Sequence, residues 1–567
     1  MPRPDRTALP PRPLPILATL LTSLLAACAG TPQPADQRVV AVDVPPISHP
    51  DGETPQWWYR SGAARAAANG AMAGRAKNVI IFLGDGMSLT TVAAARIHDA
   101  QRQGRPGEEH LLSWEHFPHT AFAKTYNTDS QTPDSAGTMT AIATGVKSHM
   151  GAIGVSAGRR DDCAGSRGRA LLSSLRLAGD AGMATGIVTT TRLTHATPAS
   201  TYAHVPDRNW ESDANLPDAA RAEGCRDIAA QLLDFAPGRG PSVLLGGGRA
   251  QFLPTTVRDP EYADKAGVRL DGRNLVDEWR QRTPGGAFVW NSAQLQAATD
   301  APAVLGLFEA DHMRFEHDRP ADVAGEPDLA AMTRFAIRRL ARDEEGYVLL
   351  VEAGRIDHAH HEGNAFRALE DTVALSRAVQ AAVESTSEDD TLIVVTADHS
   401  HTLGFVGYPR RGNPILGKVR GPATEDDDPD AYARDLLGLP FTTLVYANGP
   451  GYAGASARQP AGPKRHHHVP GTFEPAHGRP DLAQVDTTDP DFMQEALVPL
   501  GSESHGGDDV GIWARGPGSA ALRGTLEQHV IHHVIVQATP RLRARLCAAG
   551  TCDGNGVPVE LPDPAAF

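Results

Sequence analysis

An apolar run, Gly346-Tyr-Val-Leu-Leu-Val351, ends abruptly in seven ionisable side chains within eleven residues: Glu352, Arg355, Asp357, His358, His360, His361 and Glu362. A short apolar run without polar alternation fits a strand buried on both faces of a parallel sheet. Charges crowded at the end of such a strand are costly unless they are paired or bind metal. In open α/β sheets, ligands sit beyond the carboxyl ends of the strands. This segment therefore points to an α/β sheet with a polar site along that edge. Asp357 and His361 are four apart, so on a helix they share a face and can hold one metal together. Glu352, before the turn, can offer oxygen to a second, harder ion.

Four more apolar runs break into Gly, Asp or Thr: Asn78–Leu83, Ala184–Val188, Ser242–Leu245 and Thr391–Val395. Helical patterns lie between the runs, at Ser135–Ala143, Arg169–Ala178, Leu329–Ala341 and Ala365–Val383. This alternation predicts an α/β fold, a three-layer sandwich with a largely parallel sheet and helices on both faces. From Gly404 to Pro499 the chain turns rich in Pro, Gly and Asp, with one strand-like piece at Phe441–Tyr446. That stretch reads as a surface insertion. Its Lys464-Arg-His-His-His468 tract has metal-binding residues but fits a solvated loop better.

The other strand ends add acids and imidazoles. The first run leads into Gly84-Asp85-Gly86, where flanking glycines let a carboxylate approach a metal closely; the same dipeptide is also a common turn. The fifth leads into Asp398-His399, and His505 stands among small residues near the C-terminus. Ser135, after Asp134, opens a small-residue helix. As a cap it would only satisfy backbone amides, but a serine there also faces the dipole and free N–H groups that favour an anion. No Gly-x-Ser-x-Gly elbow and no GxGxxG loop is present, which argues against an ordinary serine hydrolase triad and a dinucleotide site. Arg208 is one of several arginines after the second run. Guanidinium grips two phosphate oxygens side by side, but the residue pattern alone does not single it out.

Net charge over the 567 residues is −15, which leaves no basic stripe for nucleic acid. At the N-terminus, Arg3, Arg6 and Arg12 precede an apolar stretch, Leu14–Ala27, ending in Leu-Ala-Ala-Cys28. This reads as a lipoprotein-type signal peptide, too short to span a bilayer, with Cys28 as the lipidated residue and 29–55 as a Pro-rich tether. An exported location follows, periplasmic or on the outer membrane. The remaining cysteines, Cys163, Cys225, Cys547 and Cys552, suggest two disulfides in an exported chain. Cys547 and Cys552 are near enough to close a small loop, which leaves Cys163 with Cys225.

Taken together, these phrases resemble the alkaline phosphatase family, in its animal-type form, from about Trp57 to Cys552. Carrying the likeness are KNVIIFLGDGM (77–87), PDSAG (133–137), HATPA (195–199), RNWESD (208–213), VEAGRIDHAHHEG (351–363), TADHS (396–400) and SHGGDDV (504–510). The resemblance implies phosphate-monoester hydrolysis through a phosphoserine on Ser135, with Arg208 as phosphate clamp. Two zinc ions are implied, one on Asp85, Asp398 and His399 and one on Asp357, His361 and His505. Magnesium is implied on Asp85, Thr197 and Glu352, with His195 and His358 beside it, where they would loosen it and favour an alkaline optimum. A peripheral calcium is implied at Glu261, Phe308, Glu309 and Glu326.

The family likeness also implies the same two disulfides, a homodimer, and a crown formed by the insertion. The resulting division is 1–28 signal peptide, 29–55 tether, 56–403 and 500–553 catalytic domain, 404–499 crown-like insertion, and 554–567 tail. Small phosphomonoesters are the implied substrates, with a membrane contact through Cys28. The rival readings are a phosphodiesterase or phosphonate hydrolase of the same superfamily, or a non-catalytic metal- or phosphate-binding lipoprotein. Ser135 together with Arg208 speaks against both.

Overall fold

The computed structural model describes residues 40–45, 52–156, 160–234, 240–422, 428 and 431–567. The expected signal peptide, Cys28 and most of the tether fall outside them. The five apolar runs all become strands of one ten-stranded sheet: β1 (Asn78–Gly84), β3 (Ala184–Arg192), β4 (Val243–Gly247), β7 (Tyr347–Ala353) and β8 (Thr391–Thr396). Shorter strands complete it: β2 (His119–Lys124), β5 (Ala287–Val289), β6 (Val304–Leu307), Val510–Arg515 and Gly524–Glu527. Across the sheet the order is Gly524–Glu527, β2, Val510–Arg515, β8, β1, β7, β3, β4, β6, β5. Val510–Arg515 runs antiparallel to both its neighbours, and the other pairings are parallel.

The register fixes the site. Leu83 of β1 pairs with Glu352 of β7 and with Thr396 of β8, and Thr189 of β3 also pairs with Glu352. The four central strands thus end level, and Asp85, Glu352 and Asp398 arrive at one carboxyl edge. In β7 and β8 every residue is buried, as the absence of polar alternation requires.

Helices cap where short polar side chains allow. Asp134 caps Ser135–Thr144, Asp328 caps Leu329–Leu340 and Asn364 caps Ala365–Ser385. The pattern at 169–178 yields a helix only over Ser174–Asp180. Ser173 accepts from the Arg176 N–H at the helix start, while Arg169 to Leu171 are drawn into backbone pairing with Gly154–Ser156. In the insertion, the strand expected at Phe441–Tyr446 forms three residues later, at Leu444–Gly449, between Leu403–Phe405 and Ala496–Pro499. Phe441 and Thr442 are engaged instead with Lys418 and Val419. The pairs Cys163–Cys225 and Cys547–Cys552 are both disulfide-bonded.

Candidate metal and phosphate site

At the carboxyl edge the polar groups converge in three neighbouring sets. In the first, Ser135 Oγ lies 3.1 Å from His399 Nε2 and 3.4 Å from Asp85 Oδ1. His399 Nε2 is also 3.5 Å from Asp85 Oδ1 and 3.4 Å from Asp398 Oδ2. The backbone N–H groups of Gly86 and His399 donate to Asp398 Oδ1 and fix its plane. Gly86 has to be glycine. Its φ is +66°, and a Cβ there would fall 2.4 Å from the His401 ring. The dipeptide that resembled a turn is thus also a close approach.

In the second set, Asp357 Oδ1 is 3.4 Å from both His361 Nε2 and His505 Nε2, and these two nitrogens are 3.1 Å apart. Each ring is oriented from behind. His361 Nδ1 contacts the Glu503 carbonyl and His505 Nδ1 the Pro133 carbonyl, which turns both Nε2 atoms toward the carboxylate.

The third set is oxygen-rich. Asp85 Oδ2, Thr197 Oγ1 and Glu352 Oε1 are buried and have no hydrogen-bond partner. The other Glu352 oxygen accepts from the Thr189 and Thr191 hydroxyls. Asp85 and Glu352 offer ligand atoms within 4.8 Å of each other, and buried oxygens without a partner suit a hard cation.

The electrostatics of the site favour cation binding. Burial, then the carboxylates of Asp398, Asp357 and Glu352, push Asp85 well above the usual range. Burial likewise raises Asp398 and brings Glu352 to about 7. Burial opposes the Asp357 charge too, yet His361, His401 and His505 outweigh it and hold its pKa well below normal. Bound cations reverse this kind of repulsion. Imidazoles with carboxylates suit zinc, and the all-oxygen set suits magnesium, so the residues present fit the metals.

Arg208 stands at the mouth of the first set. One of its terminal nitrogens donates to Asp134 at 3.1 Å and the other lies 3.0 Å from His195 Nε2. Asp134 also accepts from Gly137, Gly151 and Asn127. One carboxylate thus caps the Ser135 helix and anchors the arginine. Burial alone would raise the Asp134 pKa, but Arg208 and the two amides lower it. His195 lies beside Asp85 and Glu352, and His358 and His312 cluster with it; ring centroids are 5.3 Å apart for 195–358 and 4.3 Å for 312–358.

Residue reading missed His401, His312 and Glu503. His401 bridges Asp357 Oδ1 at 2.7 Å and Glu503 Oε2 at 2.5 Å. Burial lowers its pKa, but the two carboxylates raise it to about 10. Its position two residues after His399, which in extended chain puts both rings on one side, was the available signal.

At the expected calcium position, Glu261 bonds to Arg249, Glu309 accepts from Tyr262 Oη, and Glu326 accepts from the Arg314 N–H. Asp322, not anticipated, joins them with one orphaned oxygen. Arg314 Nε lies 3.3, 3.6 and 3.8 Å from Glu309, Asp322 and Glu326. Burial still lifts Glu261 to about 7 and Glu326 to about 8, so negative charge exceeds what the two arginines balance. That donor set also fits a cation.

Comparison with known proteins shows which family the chain as a whole belongs to. The alkaline phosphatase family model matches residues 76–540. The tissue-nonspecific alkaline phosphatase of Gallus gallus is 45% identical over 472 residues, covering 82% of this chain and 84% of its own. The Homo sapiens tissue-nonspecific isozyme is 43% identical, with 82% and 83% covered. Among solved structures, Thermus thermophilus alkaline phosphatase aligns with a TM-score of 0.56 at 26% identity, over 83% of this chain and 92% of that one. The alkaline phosphatase of the Antarctic bacterium TAB5 shares the fold, with a TM-score of 0.54 at 19% identity over 82% and 99%.

Proposed function

Because the chain belongs to the alkaline phosphatase family and is a phosphomonoesterase, we propose that Ser135 is its nucleophile, Arg208 its phosphate clamp, and the three sets above its metal sites. The observation carrying this reading is the position of Ser135 Oγ at a helix N-terminus, 3.1 Å from His399 and 3.4 Å from Asp85. Arg208, braced by Asp134 and His195, grips two oxygens of the incoming phosphate without having to order itself first. The free amides of the Ser135 helix favour the same anion. Ser135 Oγ bonds to phosphorus as the ester P–O bond breaks, and its proton leaves with the alcohol. Water then displaces the serine oxygen, which regains a proton, and inorganic phosphate departs.

Zinc on Asp85, Asp398 and His399 and on Asp357, His361 and His505, with magnesium on Asp85, Thr197 and Glu352, would supply Lewis-acid charge for the attacking and leaving oxygens. His195 and His358, beside the oxygen-rich set, would weaken magnesium and favour an alkaline optimum; a pH–rate profile peaking near neutrality would oppose this. Calcium would bind Glu261, Glu309 and Glu326, with the Phe308 carbonyl and Asp322. Its test is the rise in melting temperature on adding calcium to chelated protein.

The two disulfides support an exported location. Among the described residues no helix is long and apolar enough to cross a membrane. Attachment to a membrane would rest on a lipid at Cys28, which mass spectrometry of the mature N-terminus decides. The exposed Tyr408, Leu436, Leu437 and Leu497 in the insertion support a homodimer through the crown, to be checked by light scattering.

The central test compares phosphomonoester and phosphodiester hydrolysis at high pH, with and without chelator. Monoester turnover should dominate, depend on metal, and fall by at least about a thousandfold in Ser135→Ala. Full activity in that variant would overturn the mechanism.

A further inference from the structure

The histidine tract of the insertion is not a fully solvated loop. His468 turns inward, with Nδ1 3.0 Å from the Pro450 carbonyl and Nε2 2.9 Å from Ser456 Oγ. His466 and His467 turn instead toward Glu362, the residue that ends the short helix Arg355–His361. His466 Nε2 contacts Glu362 Oε2 directly, and His467 Nδ1 lies 3.3 Å from that same oxygen. The three ligand atoms all fall within 4.8 Å of one another.

We propose that Glu362, His466 and His467 form a further zinc site, separate from the catalytic metals, that staples the insertion to the helix bearing His361. Two imidazoles and one carboxylate are donors zinc accepts, with open positions left to water. Around a tetrahedral ion with bonds of about 2.0 Å, donor atoms stand roughly 3.3 Å apart, as His467 and Glu362 already do. His466 is mostly covered, while the His467 side chain is 60% exposed, which gives the ion a route in.

The pair is also held in place before any metal arrives. The His466 N–H donates to the Asp491 carbonyl, and the Met493 N–H donates to the Lys464 carbonyl. Gln459 bonds both the N–H and the carbonyl of Arg465. Lys464 is buried, with Nζ donating to the Pro460 and Gly462 carbonyls. On the other side, the Gln494 N–H donates to the carbonyl of Gly363, next to Glu362. A site pre-ordered this way loses little entropy on binding metal.

The trio of His195, His312 and His358 is a weaker candidate. The Arg208 guanidinium lies against His195 and that of Arg355 against His358, while the Arg192 backbone N–H donates to His312, so each ring already has a donor where a cation would bind.

The test uses the whole enzyme, equilibrated with buffered zinc and excess magnesium, and counts zinc per chain by mass spectrometry. His466→Ala/His467→Ala should hold about one equivalent less than wild type, and its activity at saturating metal should stay within about twofold. Cobalt supplies a second readout, since wild type should show a d–d band that the single variant His467→Ala alters. His467→Ala changes an exposed side chain, so the cobalt comparison still decides if the double variant fails to fold. Equal zinc counts, or identical cobalt spectra in wild type and His467→Ala, would overturn the site.

Discussion

Two groups of histidines extend from the same short helix, Arg355–His361, and they meet opposite company. His361 faces Asp357, His505 and the Glu503 carbonyl. Three residues earlier, His358 meets Arg355, His195 and His312, with Arg192 close behind. Among carboxylates the balance can tip the other way: Glu503 and Asp357 raise the His401 pKa to about 10 despite its burial. Among arginines an imidazole stays neutral. Burial and then Arg208 depress His195, and burial and then Arg355 depress His358, both well below the ordinary value. A neutral imidazole can accept from an arginine, and through that bond His195 helps to aim Arg208. Burial depresses His361 and His399 even beside carboxylates, so of the three only at His401 does the surrounding charge outweigh it.

The largest expected effect separates the two groups directly. His361→Ala should lose zinc and cut kcat/KM by on the order of a thousandfold, whereas His358→Ala should keep its zinc and lose only about tenfold or less. Metal analysis beside steady-state kinetics checks this, and similar losses in both would break the contrast.

A middle-sized effect is expected at the arginine side. Asp134→Ala removes a charge-assisted hydrogen bond of about 1.5–3 kcal/mol, so Arg208 loses its brace. KM and the inhibition constant for inorganic phosphate should rise by about tenfold or more while bound zinc is unchanged. An unchanged phosphate affinity would mean that His195 alone positions the guanidinium.

The smallest effect concerns histidines whose burial outweighs any charged neighbour. His529 and His532 pack beneath the N-terminal helix, against Trp58 and Tyr59. Burial lowers them from 6.5 to about 3 and about 4. Below pH 6.5 the unfolded chain takes up protons that the folded chain refuses, so stability present above that pH is lost as pH falls toward 4. The slope per histidine is at most about 1.4 kcal/mol per pH unit. Urea unfolding between pH 5 and 8 should show a gentler slope in His532→Gln than in wild type, and parallel slopes would contradict the burial argument.

Much of this was written in one dimension. Apolar runs marked the five principal strands because strands buried on both faces need no polar alternation. Asp357 and His361 declared themselves by four-residue spacing, and Asp85 and Asp398 by their places at strand ends. The short strands Ala287–Val289 and Gly524–Glu527 were hidden, since a few residues at a sheet margin carry little pattern. His401 was hidden for another reason: it acts through a partner far along the chain, Glu503, 102 residues away.

By itself, the sequence determined the sheet, the acids and imidazoles delivered to its edge, and, through resemblance, the family. Local patterning records which side chains must be buried or must lie on one face, and those were the facts required. Only the tertiary structure decided which histidines face carboxylates and which face arginines, how Asp134 serves both the Ser135 helix and Arg208, and that His466 and His467 reach Glu362. These depend on distances between segments up to several hundred residues apart, and charge acts through space rather than along the chain.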